Sequence, residues 1–436
     1  MKTRLFILCV LLVGALAGCT TRGADEGKTV LTYTRWGDPS ELDSTRELIA
    51  QFMAENPDIV VRVDVVSWGQ YWQKMATAVA TSTAQDVWLM SAAYVEQYAA
   101  AGHLLDLKPF MDNDPTFNLD DYFPHPFDDY CFVERKLGLD AKGRDVVELR
   151  NASFGDENAK CYAFTRDYNC QLLFYNRDHF DAENVTYPNE NWTWDDMVSA
   201  AKKLTVDKDG DGMIDRWGIY GLNYNALART IGGSFLDVPR RKSTYNSPEV
   251  LEALDFCRAL IYDYEVCPPP ALQIEGEAFT TGKASMTIEG VWSVRRFDSS
   301  KYLWDVTLIP VKKGYPRTSI GGGVAHCIYA KTRHPHAAWK LVKFLSDETS
   351  QRELARSGTS VPVLKSAALS DDFLAPFQCP SKKSHRIIFD YLMRQKHEPS
   401  YTRGYLTYSQ FAADTIRGVW LNIRTPEEAC RMIDEF

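Results

Sequence analysis

The chain has 436 residues, with 58 Asp and Glu against 49 Lys and Arg, and 45% of its residues are hydrophobic. That length exceeds what one core usually holds, so two folded lobes are expected. A net charge of −9 without basic clusters argues against nucleic acid as a partner.

The first stretch is "MKTRLFILCVLLVGALAGCTT", with Lys2 and Arg4 ahead of an apolar run from Leu5 to Leu16. The run is too short to span a bilayer, and small residues follow it, as in a secretory signal over residues 1–18. Leu16-Ala17-Gly18-Cys19 resembles the bacterial lipobox, which implies that Cys19 becomes the lipidated first residue of the mature chain. Two or three acyl chains on one residue hold a protein at a membrane stably, where one would not. Residues 19–28 then read as a polar tether. Loss of Lys2 and Arg4 takes the net charge from −9 to −11. No later segment has the roughly 18 uninterrupted apolar residues of a spanning helix, so an extracytoplasmic, lipid-anchored chain is expected.

"TVLTYTRW" is rich in β-formers. Asp43-Ser44 precedes a helix with Leu48, Ile49, Phe52 and Met53 on one face, ending at Asn56-Pro57. "IVVRVDVV" (59–66) is a second strand, a helix is predicted from about Tyr71 to Ala80, and "DVWLM" is a third strand. This β-α-β-α-β order predicts a parallel sheet covered by helices, with ligands beyond the carboxyl ends of the strands. Further on, "QLLFYN" reads as a strand. "TWDDMVSAAKKL" reads as a helix with Thr193 as N-cap, Asp196 completing a capping box and Trp194, Met197, Val198, Ala201 and Leu204 on one face. "RWGIYGL" reads as the next strand. "SPEVLEALDFCRALI" and "HAAWKLVKFLSDETSQREL" read as amphipathic helices, the latter opened by Pro335.

Five segments in order, "DVWLMSAAYVEQYAAAGHLLDL", "LLFYNRDHFDAENVTYPNENWTWDDMVSAAKKLT", "AFTTGKASMTIEGVW", "IGGGVA" and "AAWKLVKFLSDETSQ", resemble extracellular solute-binding proteins of the maltodextrin and multiple-sugar type. These are the ligand-capturing lipoproteins of ABC importers, and the resemblance runs from about Thr29 to Met432. It implies an α/β, two-lobed, periplasmic-binding-protein-like fold of type II, with a ligand cleft between lobes joined by hinge crossings. Lobe one would comprise 29–168 and 284–332, and lobe two 169–283 and 333–436. The chain departs from the family at Gln85-Asp86, where Pro-Asp is usual. It also departs at Ser91-Ala92-Ala93, in place of a charged or aromatic contact, and in a longer segment from Asp129 to Cys161. These departures bear on the substrate rather than the fold.

Trp36 and Asp38 follow the first strand and Trp68 the second. Indoles stack on the C–H face of a sugar while carboxylates take its hydroxyls. Ser91 and Tyr94 follow the third strand. Arg166, Asp167 and Tyr168 fall on the implied hinge strand. Gly290 and Trp292 match the family segment that sets a backbone and an indole against ligand, and Gly321, Gly322 and Gly323 let a loop approach closely. For each tryptophan and tyrosine the competing reading is packing inside a lobe. Arg295 and Arg296 read as solvated helix charges in preference to contacts with an acidic sugar.

In "VDKDGDGMIDRWG", Asp207, Asp209, Asp211, the Met213 carbonyl and Asp215 match positions one, three, five, seven and nine of a calcium loop. Position twelve is Gly218, not Glu. Calcium takes six to eight oxygens, so the loop alone falls short. It is read either as a structural calcium site or as a metal-free Asp/Gly turn, and not as a sensor; no cofactor is required. Eight cysteines remain beyond Cys9 and Cys19, with no zinc spacing, and Cys131 with Cys161 and Cys257 with Cys267 are local disulfide candidates. The expected function is capture of a mono- or oligosaccharide by a monomer, without chemistry, and delivery to membrane permease subunits. The competing readings are a ligand-presenting subunit for a sensor or chemoreceptor and a secreted glycoside-processing enzyme.

Overall fold

A computed structural model describes residues 27–37, 41–139, 145–237, 242–272, 278–318, 321–374, 379–394 and 405–436. Its strands are β1 (Thr29–Trp36), β2 (Ile59–Val66), β3 (Val87–Ser91), β4 (Cys131–Leu139), β5 (Asp145–Asn151), β6 (Lys160–Cys161), β7 (Phe164–Asn176), β8 (Met286–Gly290), β9 (Trp304–Thr307), β10 (Gly321–Ile328) and β11 (Val361–Pro362). The chain forms two compact units. One holds the described residues up to Leu89 with His103–Leu105 and His326–Leu345; the other holds Met90–Gly102, Asp106–Ala325 and Ser346–Phe436.

In the first unit β1 runs parallel to β2, from Thr29 opposite Ile59 to Trp36 opposite Val66, and parallel to β3, with Tyr33 opposite Val87. Strands joined by helices pair in parallel because each connection must return to the same end of the sheet. The β-branched runs make Leu31, Val61, Val87 and Leu89 core. Asp86 pins this sheet: its Oδ2 accepts from Thr32 N (2.9 Å) and Thr32 Oγ1 (2.8 Å), and its Oδ1 accepts from Thr332 Oγ1 (2.7 Å). The helix Pro335–Phe344, which the sequence reading put in lobe two, belongs to this unit, with Phe344 5.4 Å from Phe52.

In the second unit β7 is the longest strand, antiparallel to β8 (Gln171 opposite Gly290), β9 (Leu173 opposite Thr307) and β11 (Tyr168 opposite Val361). A small antiparallel sheet, ordered β5-β4-β6, stands apart from it. Helices Trp194–Leu204, Pro248–Tyr262, Tyr405–Trp420 and Pro426–Glu435 bury a shared core that includes Leu173, Trp194, Met197, Leu254, Ile416 and Ile433. The predicted capping box is formed: Thr193 Oγ1 accepts from Asp196 N, and Asp196 Oδ2 accepts from Thr193 N at 2.9 Å. His179 packs here. Asn176 lies 3.2 Å from its Nε2 and Ser285 Oγ 3.1 Å from its Nδ1, and burial, then Arg216 and Lys208, push its pKa down to about 4.

Three local predictions are corrected. The helix after β2 begins at Trp68, not near Tyr71, so Trp68 is its first residue. "RWGIYGL" makes only isolated bridges, Arg216 with Val206, Trp217 with Ala284 and Tyr220 with Thr287, and is not a strand. The long helix opened by Pro335 is two helices, Pro335–Phe344 and Glu348–Ser357, because Asp347 caps the second by accepting from Ser350 N at 3.0 Å.

Candidate functional site

Trp36 ends β1, and Ser67 precedes the helix Trp68–Ala80. Residues three and four apart share a helix face, so Trp68, Tyr71 and Trp72 all turn toward the strand end. The Trp36 ring lies 5.0 Å from Trp68 and 5.0 Å from Tyr71, both edge-on, and 5.6 Å from Trp72. Trp68 also stands edge-on to Trp72 at 5.6 Å. Edge-to-face pairs place the positive edge of one ring on the negative face of another. Tyr71 is fully buried and its hydroxyl donates to Leu89 O at 2.7 Å. Trp68 is 51% exposed. The result is a rigid aromatic platform with a buried base and an open indole. Sequence reasoning named Trp36 and Trp68 but not Tyr71 and Trp72, which the structure packs beside them and which the 68/71/72 spacing could have indicated. Asp38 lies outside the described residues.

The second unit gives several predicted contacts a structural task. Ser91 caps the helix Ala92–Ala100, its Oγ accepting from Ala93 N at 3.3 Å, and Tyr94 is buried on that helix. Asp167 is fully buried; it pairs with Arg166 and accepts from Val324 N (3.0 Å) and Asn169 Nδ2 (3.0 Å). Burial raises its pKa while the Arg166 charge opposes the rise. Tyr168 is buried too. A Cβ on Gly323 would meet Asp167 O at 2.7 Å, so this glycine admits β7, and Gly322 is the partly exposed member of the run. Packing thus accounts for Tyr94, Asp167, Tyr168 and Gly323. Arg166 keeps part of its side chain in solvent, with its carbonyl held by Gln351 Nε2 at 2.7 Å.

Trp292 is 50% exposed, its indole lying flat on Gly290, where a Cβ would sit 2.2 Å from the ring. Arg296 is tied to this segment, with Glu289 at 3.7 Å, Ser293 Oγ at 3.1 Å and the Phe297 ring at 4.9 Å.

In the Asp loop, Asp207 accepts from Gly210 N (2.8 Å) and Gly212 N (2.9 Å), and these bonds, Gly212's first, hold its carboxyl below the usual range. Asp209 accepts from Asp211 N (3.2 Å), Asp211 from Met213 N (2.7 Å) and Asp215 from Lys208 N (2.7 Å). Asp207, Asp209 and Asp215 each offer an oxygen within 4.8 Å of the others. Asp211 does not join these three. Among the described residues no helix is long and apolar enough to cross a membrane, and Cys19 lies outside them.

A parallel β-α-β-α-β unit, a second unit on a long antiparallel strand, and an aromatic platform at a strand end define a two-lobed α/β protein of the periplasmic-binding type. The family described as bacterial extracellular solute-binding protein matches residues 38–352, and the chain belongs to it. Its place is therefore extracytoplasmic. Among curated relatives, the galactooligosaccharide-binding protein of Bacillus subtilis is 19% identical over 383 residues, covering 84% of this chain and 82% of that one. An ABC substrate-binding protein from Listeria monocytogenes in complex with cycloalternan has a TM-score of 0.78 at 23% identity, covering 94% of this chain and 97% of its own. A solute-binding protein from Agrobacterium radiobacter K84 in complex with ribitol has a TM-score of 0.74 at 22% identity, covering 93% and 97%.

Proposed function

We propose that this chain captures a saccharide or polyol outside the cytoplasmic membrane and delivers it, chemically unchanged, to the permease of an ABC importer. The observation that carries the reading is the Trp36–Trp68 pair, in which half-exposed Trp68 is braced by Trp36 and buried Trp72, and Trp36 in turn by buried Tyr71. Such a face suits the C–H surface of a sugar ring, and the ligands named for similar proteins, from an oligosaccharide to ribitol, support the class. Trp292, Arg166, Ser91 and Gly322 are further contacts to examine by substitution. The test is a thermal-shift panel of galactooligosaccharides, cycloalternan, maltotriose and ribitol, followed by calorimetric titration and chromatography of the recovered ligand. A panel without any stabilising saccharide or polyol refutes the reading, and a cleaved ligand refutes the absence of chemistry.

Cys19 carries the lipid anchor in this proposal, and the chain acts as a monomer. A structural calcium ion at Asp207, Asp209 and Asp215 is a second proposal, supported by the convergence of their oxygens.

A further inference from the structure

Cys131 and Cys161 lie directly opposite each other where β4 meets β6. Tyr162 N donates to Tyr130 O at 3.0 Å, which makes Cys131 and Cys161 a pair that exchanges no backbone hydrogen bonds of its own. Their remaining backbone groups look outward: Cys131 O accepts from Ala152 N (3.0 Å), Cys161 O from Leu107 N (2.7 Å), and Cys161 N donates to Asp106 Oδ1 (3.0 Å). Such pairs hold their Cα atoms about 4.5 Å apart, inside the range of about 4.4–6.8 Å that a disulfide spans. Both side chains are fully buried, Cys161 Sγ donates to Ala163 O at 3.3 Å, and the neighbouring Cys161 thiol raises the pKa of Cys131. The register is held from both sides, since Asp128 Oδ1 accepts from Phe154 N (2.8 Å) and Asp106 accepts from Lys108 N (3.1 Å).

We propose that Cys131 and Cys161 form a cross-strand disulfide in the mature protein, closing the base of the β4–β5 hairpin onto the segment that leads into β7. The oxidant is an external disulfide, such as that of a thiol–disulfide oxidoreductase or oxidised glutathione. One cysteine thiolate attacks a sulfur of the external disulfide, giving a mixed disulfide and releasing one external thiol. The second thiolate attacks the protein sulfur of that bond and releases the other. Two protein thiols are oxidised, two external sulfurs are reduced, and the two thiol protons leave with the external thiols. Thiolates are the nucleophiles. Contact with Cys161, then burial, pushes the Cys131 thiol well above its ordinary value in the folded chain, so the bond forms while the chain folds.

The test is to export the full chain to an oxidising bacterial periplasm, denature it, alkylate it before any reduction, and map its peptides. Cys131 and Cys161 are expected on one linked peptide pair, with neither alkylated. Cys131→Ser should expose Cys161 to alkylation, and Cys161→Ser should expose Cys131. The wild type should melt several degrees lower after reduction in denaturant and refolding, while Cys131→Ser should melt alike with and without reductant. Full alkylation of both cysteines in the exported wild type, or a link from either to a different cysteine, overturns the proposal. The outcome does not depend on which solute the protein binds.

Discussion

Replacing Trp68 by Ala tests the platform most cleanly. A tryptophan buries about 150–250 Å² when fully covered, and Trp68 is 51% exposed, which leaves about 75–125 Å² for a ligand. At about 25 cal/mol per Å², complete cover would be worth about 2–3 kcal/mol, and a sugar ring stacked on one face about half of that. The dissociation constant should therefore rise by roughly fivefold to tenfold. Folding should suffer little, because half of this ring is already in water. Trp36→Ala is a poorer probe. Its ring touches Trp68, Tyr71 and Trp72, so truncation leaves a cavity and costs about 3 kcal/mol of stability. The assay is calorimetric titration with the saccharide or polyol that gives the largest thermal shift, alongside unliganded melting curves and a Trp68→Phe control that should recover part of the affinity. Wild-type affinity in Trp68→Ala would show that ligand does not rest on this ring.

Three further outcomes are expected. Unfolded His179 titrates near 6.5 and the folded group near 4, so its contribution is full above pH 6.5 and is lost as pH falls from 6.5 to 4. The loss is at most about 1.4 kcal/mol per unit; His179→Gln should flatten the melting temperature over that window, and equal slopes would refute the assignment. Calcium at a hundred times its dissociation constant should add about 2.7 kcal/mol, so a chelator should lower the melting temperature of the wild type but not of Asp209→Ala; no effect on the wild type decides for a metal-free turn. Radioactive fatty acid should label the wild type and not Cys19→Ser, and equal labelling removes the anchor.

Local chemistry was enough for much of this protein. The β-branched runs fixed β1, β2 and β3, and the alternation of strand and helix fixed their parallel pairing. Thr193 and Asp196 marked a helix start that the backbone obeys, since capping is settled within four residues. Trp36 and Trp68 were legible as strand-end indoles. What the sequence left open depends on distant partners. Whether "RWGIYGL" is a strand rests on partners as distant as Ala284 and Thr287, which offer it only isolated bridges. Asp167 reads as a cleft carboxylate until Val324, Asn169 and Arg166 surround it. Gly323 reads as a ligand-facing glycine until Asp167 O fills the space of its absent side chain. Cys131 with Cys161 is one of two local pairings the sequence offers, until the β4–β6 register sets these two face to face. Period and capping are local properties, and a sequence carries them. Burial, close approach and pairing are set by which strand lies beside which, and only the folded chain decides that.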